Sequence, residues 1–332
     1  MGKDFRILTL SGGGGYRGLY AAKVLADLEE QTNQPIGRYF DLIAGTSIGG
    51  IVALAVAYEI PMKDVVEMFK THGQDIFKKQ KFSFFSIFKS TYSGNGLKAQ
   101  ISKFFFDKKI GDLKHNVIIP AINYSAGVPV VFKTPHHESF VRDLHLKIVD
   151  VAMATSAAPI YFPKYEFNHS NYVDGGLFAN NPSLLAIHEA QHFFGIPKDN
   201  ISLLHVGTLS SQTSDVVKKN QKGGMTDWAK GMLLNKAPKN IIELTLASQQ
   251  QMMTHMTRHM LNEKYFNIDA NVSKDANSYI GLDRHDEYAT NVLLSHAQQS
   301  SKEALGNPFI SALLEKQTNA PTWINIEEQI NE

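Results

Sequence analysis

Apolar positions along the chain gather in short unbroken runs separated by glycines and polar clusters. Arg6-Ile-Leu-Thr-Leu10, Leu42 to Gly45, Asn116 to Asn123, Val128 to Lys133 and Ile201 to Thr208 each have the length and character of a buried strand. Between them the spacing becomes helical. Helices are predicted from about Leu19 to Thr32, over the wholly apolar Ile48 to Tyr58, over the small residues Val149 to Ala158, and from Pro182 to about Phe194. Strands alternating with helices argue for one large α/β domain. After Ser210 a polar stretch leads to a mostly helical part, with Pro238 to Leu261 as a long helix and Asn307 to Gln317 as a short one. Residues 1–210 therefore read as a core and 211–332 as a helical C-terminal extension packed on it.

Composition narrows the function classes. A chain of 332 residues with 43% hydrophobic and 20% charged residues can bury a sizeable core. Its formal net charge of +1 gives no general attraction to a nucleic acid polymer. The absence of cysteine excludes disulfides, thiolate metal sites and a cysteine nucleophile. With no apolar run of signal-peptide or membrane-spanning length, a cytoplasmic protein is expected. From Phe77 to Lys109 the composition turns to Phe and Lys, with Lys78, Lys79, Lys81, Phe82, Phe84, Phe85, Phe88 and Lys89 in one half and Phe104, Phe105, Phe106 and Lys108 in the other. Rings interleaved with cations suit a surface that meets anionic headgroups; solvated lysines on a partly buried insertion are the plainer reading.

Two glycine patterns carry candidate chemistry. Leu42 to Gly45 runs into Gly45-x-Ser47-x-Gly49, the spacing of an elbow that presents a serine hydroxyl above a sheet. The first strand runs into Ser11-Gly-Gly-Gly-Gly-Tyr-Arg17-Gly18, whose bare amides suit either a phosphate cradle or an oxyanion hole. Gly13-x-Gly15-x-x-Gly18 matches the dinucleotide fingerprint, but the second strand ends in serine rather than the acidic residue a ribose needs. Later, Tyr172-Val-Asp174-Gly175-Gly176 puts an aspartate at the end of a short strand; a plain turn explains Asp-Gly equally well. Ser47 needs a base, and Asp174 is the choice, with His205 keeping a Ser-His-Asp triad of a general esterase open. His255 and His259 lack the glutamate of a zinc-protease helix, so no metal site is assigned. The methionines Met252, Met253, Met256 and Met260 read as adaptable core.

Taken in order, Gly13-Gly-Gly-Tyr-Arg-Gly18, Gly45-Thr-Ser47-Ile-Gly49 and Asp174-Gly175-Gly176 resemble the motifs of patatin-like phospholipases, as do Ala154 to Pro163 and Asn180-Asn-Pro182. The resemblance spans roughly Arg6 to Thr208 and departs from the family loop by one extra glycine. It implies a three-layer α/β/α fold with a central, mostly parallel sheet. It implies cofactor-free and metal-independent cleavage of fatty acyl esters of membrane glycerophospholipids through an acyl-serine. Ser47 is then nucleophile, Asp174 base, Gly13, Gly14 and Gly15 the oxyanion loop, and Arg17, Gly18, Gly45, Gly49, Gly175 and Gly176 supporting motif residues. The Phe77 to Lys109 region becomes a docking surface at the inner membrane. A second resemblance, to bacterial patatin-like effectors of anti-phage signalling, implies a cyclic dinucleotide activator and leaves a homo-oligomer open. The competing class is a nucleotide-binding regulatory module.

Overall fold

The computed structural model describes residues 4–80, 90–209, 237–270, 272, 280–281 and 284–323. In chain order the elements are β1 (Phe5–Leu10), α1 (Gly18–Thr32), β2 (Leu42–Gly45), α2 (Ile48–Tyr58), α3 (Met62–Ile76), α4 (Asn95–Phe105), β3 (Val117–Asn123), β4 (Val128–Lys133) and α5 (Ile148–Thr155). Then follow β5 (Tyr165–Phe167), β6 (Ser170–Asp174), α6 (Gly176–Ala179), α7 (Ser183–His192), β7 (Ile201–Val206), α8 (Ala237–Leu261), β8 (Tyr265–Ile268), α9 (Glu287–Leu305) and α10 (Pro308–Glu315).

The strands form one sheet in the order β5-β6-β3-β2-β1-β7-β8, with β4 paired to β3. Neighbours from β3 through β2, β1 and β7 to β8 are parallel, while β4, β5 and β6 attach antiparallel. Side chains alternate across the sheet as the pleat requires. Phe5, Ile7, Leu42, Ala44 and Leu203 join one core, and Leu8, Leu10, Ile43, Leu204 and Val206 the other. α7 covers the first face through Ala186, Ile187 and Ala190; α1, α2, α5 and α9 cover the second. A parallel sheet buried on both faces is why its strands read as continuous apolar runs. The result is the expected three-layer α/β/α architecture.

Beyond residue 210 the described residues are mostly helical and also add a strand to the sheet. β8 pairs parallel with β7, Leu203 opposite Tyr265 and Val206 opposite Ile268, so the chain returns to the sheet and lengthens it. α9 is fastened to α1, where the Tyr20 hydroxyl donates to Ser300 Oγ at 2.9 Å.

The Phe/Lys region also divides. Phe77 and Phe105 are core residues that close the apolar faces of α3 and α4, Phe106 is 72% exposed, and Lys78, Lys79, Lys108 and Lys109 are exposed. Lys81, Phe82, Phe84, Phe85, Phe88 and Lys89 lie outside the described residues.

β2 is only four residues long, and this places the site. β4 occupies one edge of β3 throughout; on the other edge β2 pairs with Val117 and Ile118, then stops. β6 takes the vacated edge, with Asp174 opposite Ala121. The residue that ends β6 thus arrives beside the turn that ends β2.

Candidate active site

Ser47 sits between β2 and α2 at φ +56° and ψ −128°, a backbone conformation that residues with a side chain rarely adopt. Gly45 makes room for it: a Cβ there would stand 2.3 Å from the Gly49 carbonyl oxygen. The Ser47 hydroxyl donates to Asp174 Oδ2 at 2.6 Å, and the Gly176 amide donates to Asp174 Oδ1 at 2.7 Å. Both side chains are buried, Asp174 at 5% exposure. That burial pushes the Asp174 carboxyl up to about 6, against hydrogen bonds from Ser47 and Gly176 that favour the carboxylate.

Gly13, Gly14 and Gly15 line the same cavity as Ser47, Ile48 and Asp174. Gly13 at φ +68° and Gly15 at φ +50° give the loop its left-handed turns. Phe77, Tyr92, Leu97, Tyr161 and Phe162 form the walls, and Ile242 and Leu246 of α8 close the space to about 50 Å³. Among the described residues Asp174 is the only carboxylic acid in this mostly apolar lining.

The remaining motif residues support this arrangement from outside the cavity. Arg17 is buried at the head of α1, where its Nη1 donates to the Leu209 carbonyl at 2.9 Å and its Nε has no hydrogen-bond partner among the described residues. Burial holds its guanidinium below the usual range, with Glu243 and Asp269 acting in the opposite sense. Gly18 lets α1 lie against Ile48 and Phe69, and Gly175 lets the turn after Asp174 lie against Pro120.

His205 is not brought to Ser47. It is fully buried on β7, with Nδ1 2.8 Å from Thr9 Oγ1 and Nε2 3.0 Å from Ser11 Oγ. Desolvation lowers its pKa to about 3, which leaves a neutral ring held by hydroxyls of β1. Met252 and Met256, expected in the core, are instead 52% and 44% exposed on α8. The helix is apolar on more than one side, so its spacing alone did not say which side is inward.

Two polar residues of the segments Ala154 to Pro163 and Asn180 to Pro182, which the sequence marked without a role, acquire one from their contacts. Thr155 Oγ1 accepts from the Ser47 amide at 3.0 Å and donates to the Pro120 carbonyl at 2.6 Å, pinning the elbow to β3. Asn180 accepts from the Gly12 amide at 2.8 Å through its backbone and donates from Nδ2 to Gln250 Oε1 at 2.9 Å, joining the glycine loop to α8. Their hydroxyl and amide are generic in sequence; only the contacts distinguish them.

Ser47 and Asp174 thus share one cavity with Gly13, Gly14 and Gly15. The family model "Patatin-like phospholipase" matches residues 8–187. The chain belongs to the patatin-like phospholipase family. As a family member it is a phospholipase, a carboxylic ester hydrolase. It is 37% identical over 326 residues to a protein of Pseudomonas aeruginosa named "cGAMP-activated phospholipase", covering 96% of this chain and 94% of that one. Proteins of the same name from Vibrio cholerae and Escherichia coli are 34% and 33% identical, over 90% and 92% of this chain and 90% and 93% of theirs. Among the described residues no helix is long and apolar enough to cross a membrane.

Proposed function

We propose that Ser47 cleaves a fatty acyl ester of a membrane glycerophospholipid with Asp174 as its base, and that a cyclic dinucleotide switches the reaction on. The hydrogen bond of 2.6 Å between Ser47 Oγ and Asp174 Oδ2 carries the catalytic part of this reading. The names of the bacterial relatives, cGAMP-activated phospholipases, motivate the activator. As Oγ bonds to the acyl carbon, its proton passes to Oδ2, while amides of Gly13, Gly14 and Gly15 receive the charge growing on the carbonyl oxygen. Collapse expels the glycerol oxygen, which takes the proton from Asp174 and leaves as lysophospholipid. Water then adds to the acyl carbon as Asp174 takes its proton, and collapse returns that proton to Ser47 Oγ and releases the fatty acid. The substrate and the site of action are a bilayer, the inner membrane for a cytoplasmic chain.

Covalent labelling with a fluorophosphonate, mapped by mass spectrometry, is expected at Ser47 and to rise on addition of cyclic GMP-AMP. Label at another residue would overturn the assignment of the nucleophile. Label at Ser47 that cyclic dinucleotides leave unchanged would remove the activator alone.

The pH dependence has a definite sign. A base whose proton affinity is raised to about 6 loses its charge as pH falls through that value. The rate kcat/KM for ester cleavage is therefore expected to drop about tenfold per pH unit below it and to be level above it. A pH–rate profile that stays level down to about pH 5 would exclude Asp174 as the base.

A further inference from the structure

The N-terminal half of α8 is apolar on two sides. Ile242 and Leu246 face the cavity beneath. Ile241 and Leu244 are 41% and 36% exposed, and Met252 and Met256 continue the outer stripe at helical spacing. Packing accounts for the inner side only.

Lysines stand close in sequence to residues that line the cavity. Within three positions of the lining residues Phe77, Leu97, Phe162 and Ile242 stand Lys78, Lys79, Lys98, Lys164 and Lys239, against the carboxylates Asp75 and Glu243. Glu243 is the only acidic residue of α8 and accepts from the Tyr161 hydroxyl at 2.9 Å. In a chain of 33 Lys and Arg against 32 Asp and Glu, this is a local excess rather than a general one.

Resting on the phospholipase reading of the same site, we propose that the outer face of α8, centred on Ile241 and Leu244, docks on an anionic phospholipid surface and that docking draws the helix off the cavity. Ligand pockets enclose about 300–1,000 Å³, so a space of about 50 Å³ admits no acyl chain while Ile242 and Leu246 are in place. Side chains anchor the middle and second half of the helix, where Gln249 Nε2 donates to the Phe178 carbonyl at 2.8 Å and Asn181 Nδ2 to Thr254 Oγ1 at 3.0 Å, and the Leu246 carbonyl accepts from Asn180 Nδ2 at 3.4 Å. The first half is held at its polar positions by Tyr161, which bonds Glu243 and lies 4.7 Å beneath the Lys239 ammonium. An apolar side that leaves the cavity needs an apolar medium to enter. A bilayer supplies that medium, the anionic headgroups for these lysines, and the substrate itself.

The test is flotation of the Ser47→Ala protein with vesicles of equal parts phosphatidylglycerol and phosphatidylcholine, with and without cyclic GMP-AMP. The parent is expected to float in at least one condition, less so at high salt. Adding Ile241→Glu with Leu244→Glu is expected to weaken vesicle affinity roughly tenfold or more while leaving the melting temperature nearly unchanged, since both side chains are exposed. Ile241→Gln with Leu244→Gln provides the same comparison should the acidic pair disturb folding. Equal flotation of the folded variants and the parent, or no flotation of the parent in either condition, overturns the proposal. Unchanged flotation with a smaller oligomer by light scattering overturns it too, making this face a contact between copies. Flotation requires no turnover: a chain that floats as expected but releases no fatty acid keeps the docking surface and loses the phospholipase reading.

Discussion

Replacing Asp174 by Asn is expected to abolish fatty-acid release and, at neutral pH, to make the protein more stable. The loss follows from the geometry: asparagine keeps the shape of the turn and can still accept from the Gly176 amide, but its nitrogen would donate to Ser47 Oγ rather than take its proton. Removing one member of a catalytic unit lowers kcat by about 10⁴-fold or more. The gain in stability follows from burial. The Asp174 carboxyl binds its proton more tightly in the folded chain, with a pKa raised from 3.8 to about 6. Below 3.8 both states are protonated and burial of the charge costs nothing; the cost grows as pH rises to about 6 and is fully present above it. Two pKa units correspond to about 3 kcal/mol, so the Asn variant should gain up to that amount at neutral pH, about half of it near pH 5 and little at or below 3.8. Fatty-acid release from phospholipid vesicles and thermal unfolding at these pH values check the two halves. Residual release near the parent's level would place the base elsewhere.

That buried charge also explains what the sequence could and could not reveal. The strand, elbow and helix around Ser47 were legible because each is local: an apolar run, two glycines at fixed offsets and a second apolar run. Asp174 was named as the partner of Ser47 from residue type and motif order, but not from geometry. Its approach to Ser47 depends on β2 stopping after four residues and β6 filling the vacated edge of β3, a non-local fact of pairing. His205 illustrates the converse. Its place at the end of a strand was read correctly, yet its two ring nitrogens turn to Thr9 on the neighbouring strand and Ser11 just beyond it. β8 was missed because Tyr265–Ile268 is four residues long inside a helical context, and it is a strand because β7 offers an unpaired edge. The two-sided α8 was read as core for a similar reason. Periodicity gives the angle between apolar residues, not which of two apolar faces has something to pack against.

Replacing Gly49 by Ala is expected to cost more stability than any surface change in this chain, about 3–5 kcal/mol, a large share of the roughly 5–15 kcal/mol that holds a domain together. A Cβ on Gly49 would stand 2.4 Å from the Ser11 carbonyl oxygen and 2.6 Å from that of Leu10, and neither is a side chain that can swing aside. α2 and the end of β1 would have to separate, although α2 is buried along nearly its whole length. Gly127, at φ +69° in the β3–β4 turn with nothing within 4 Å, is the control: alanine there carries only the left-handed backbone penalty of about 1–2 kcal/mol. Urea unfolding of the two variants should rank them clearly, and a Gly49→Ala protein within about 1 kcal/mol of the parent would contradict the close packing described. The consequence for catalysis follows from the same contact. Leu10 and Ser11 lead directly into Gly13, Gly14 and Gly15, so any separation that relieves the clash also moves those amides away from Ser47. Whatever Gly49→Ala protein survives folding should therefore lose activity beyond its loss of stability, and short-ester hydrolysis normalised to folded protein measures that excess.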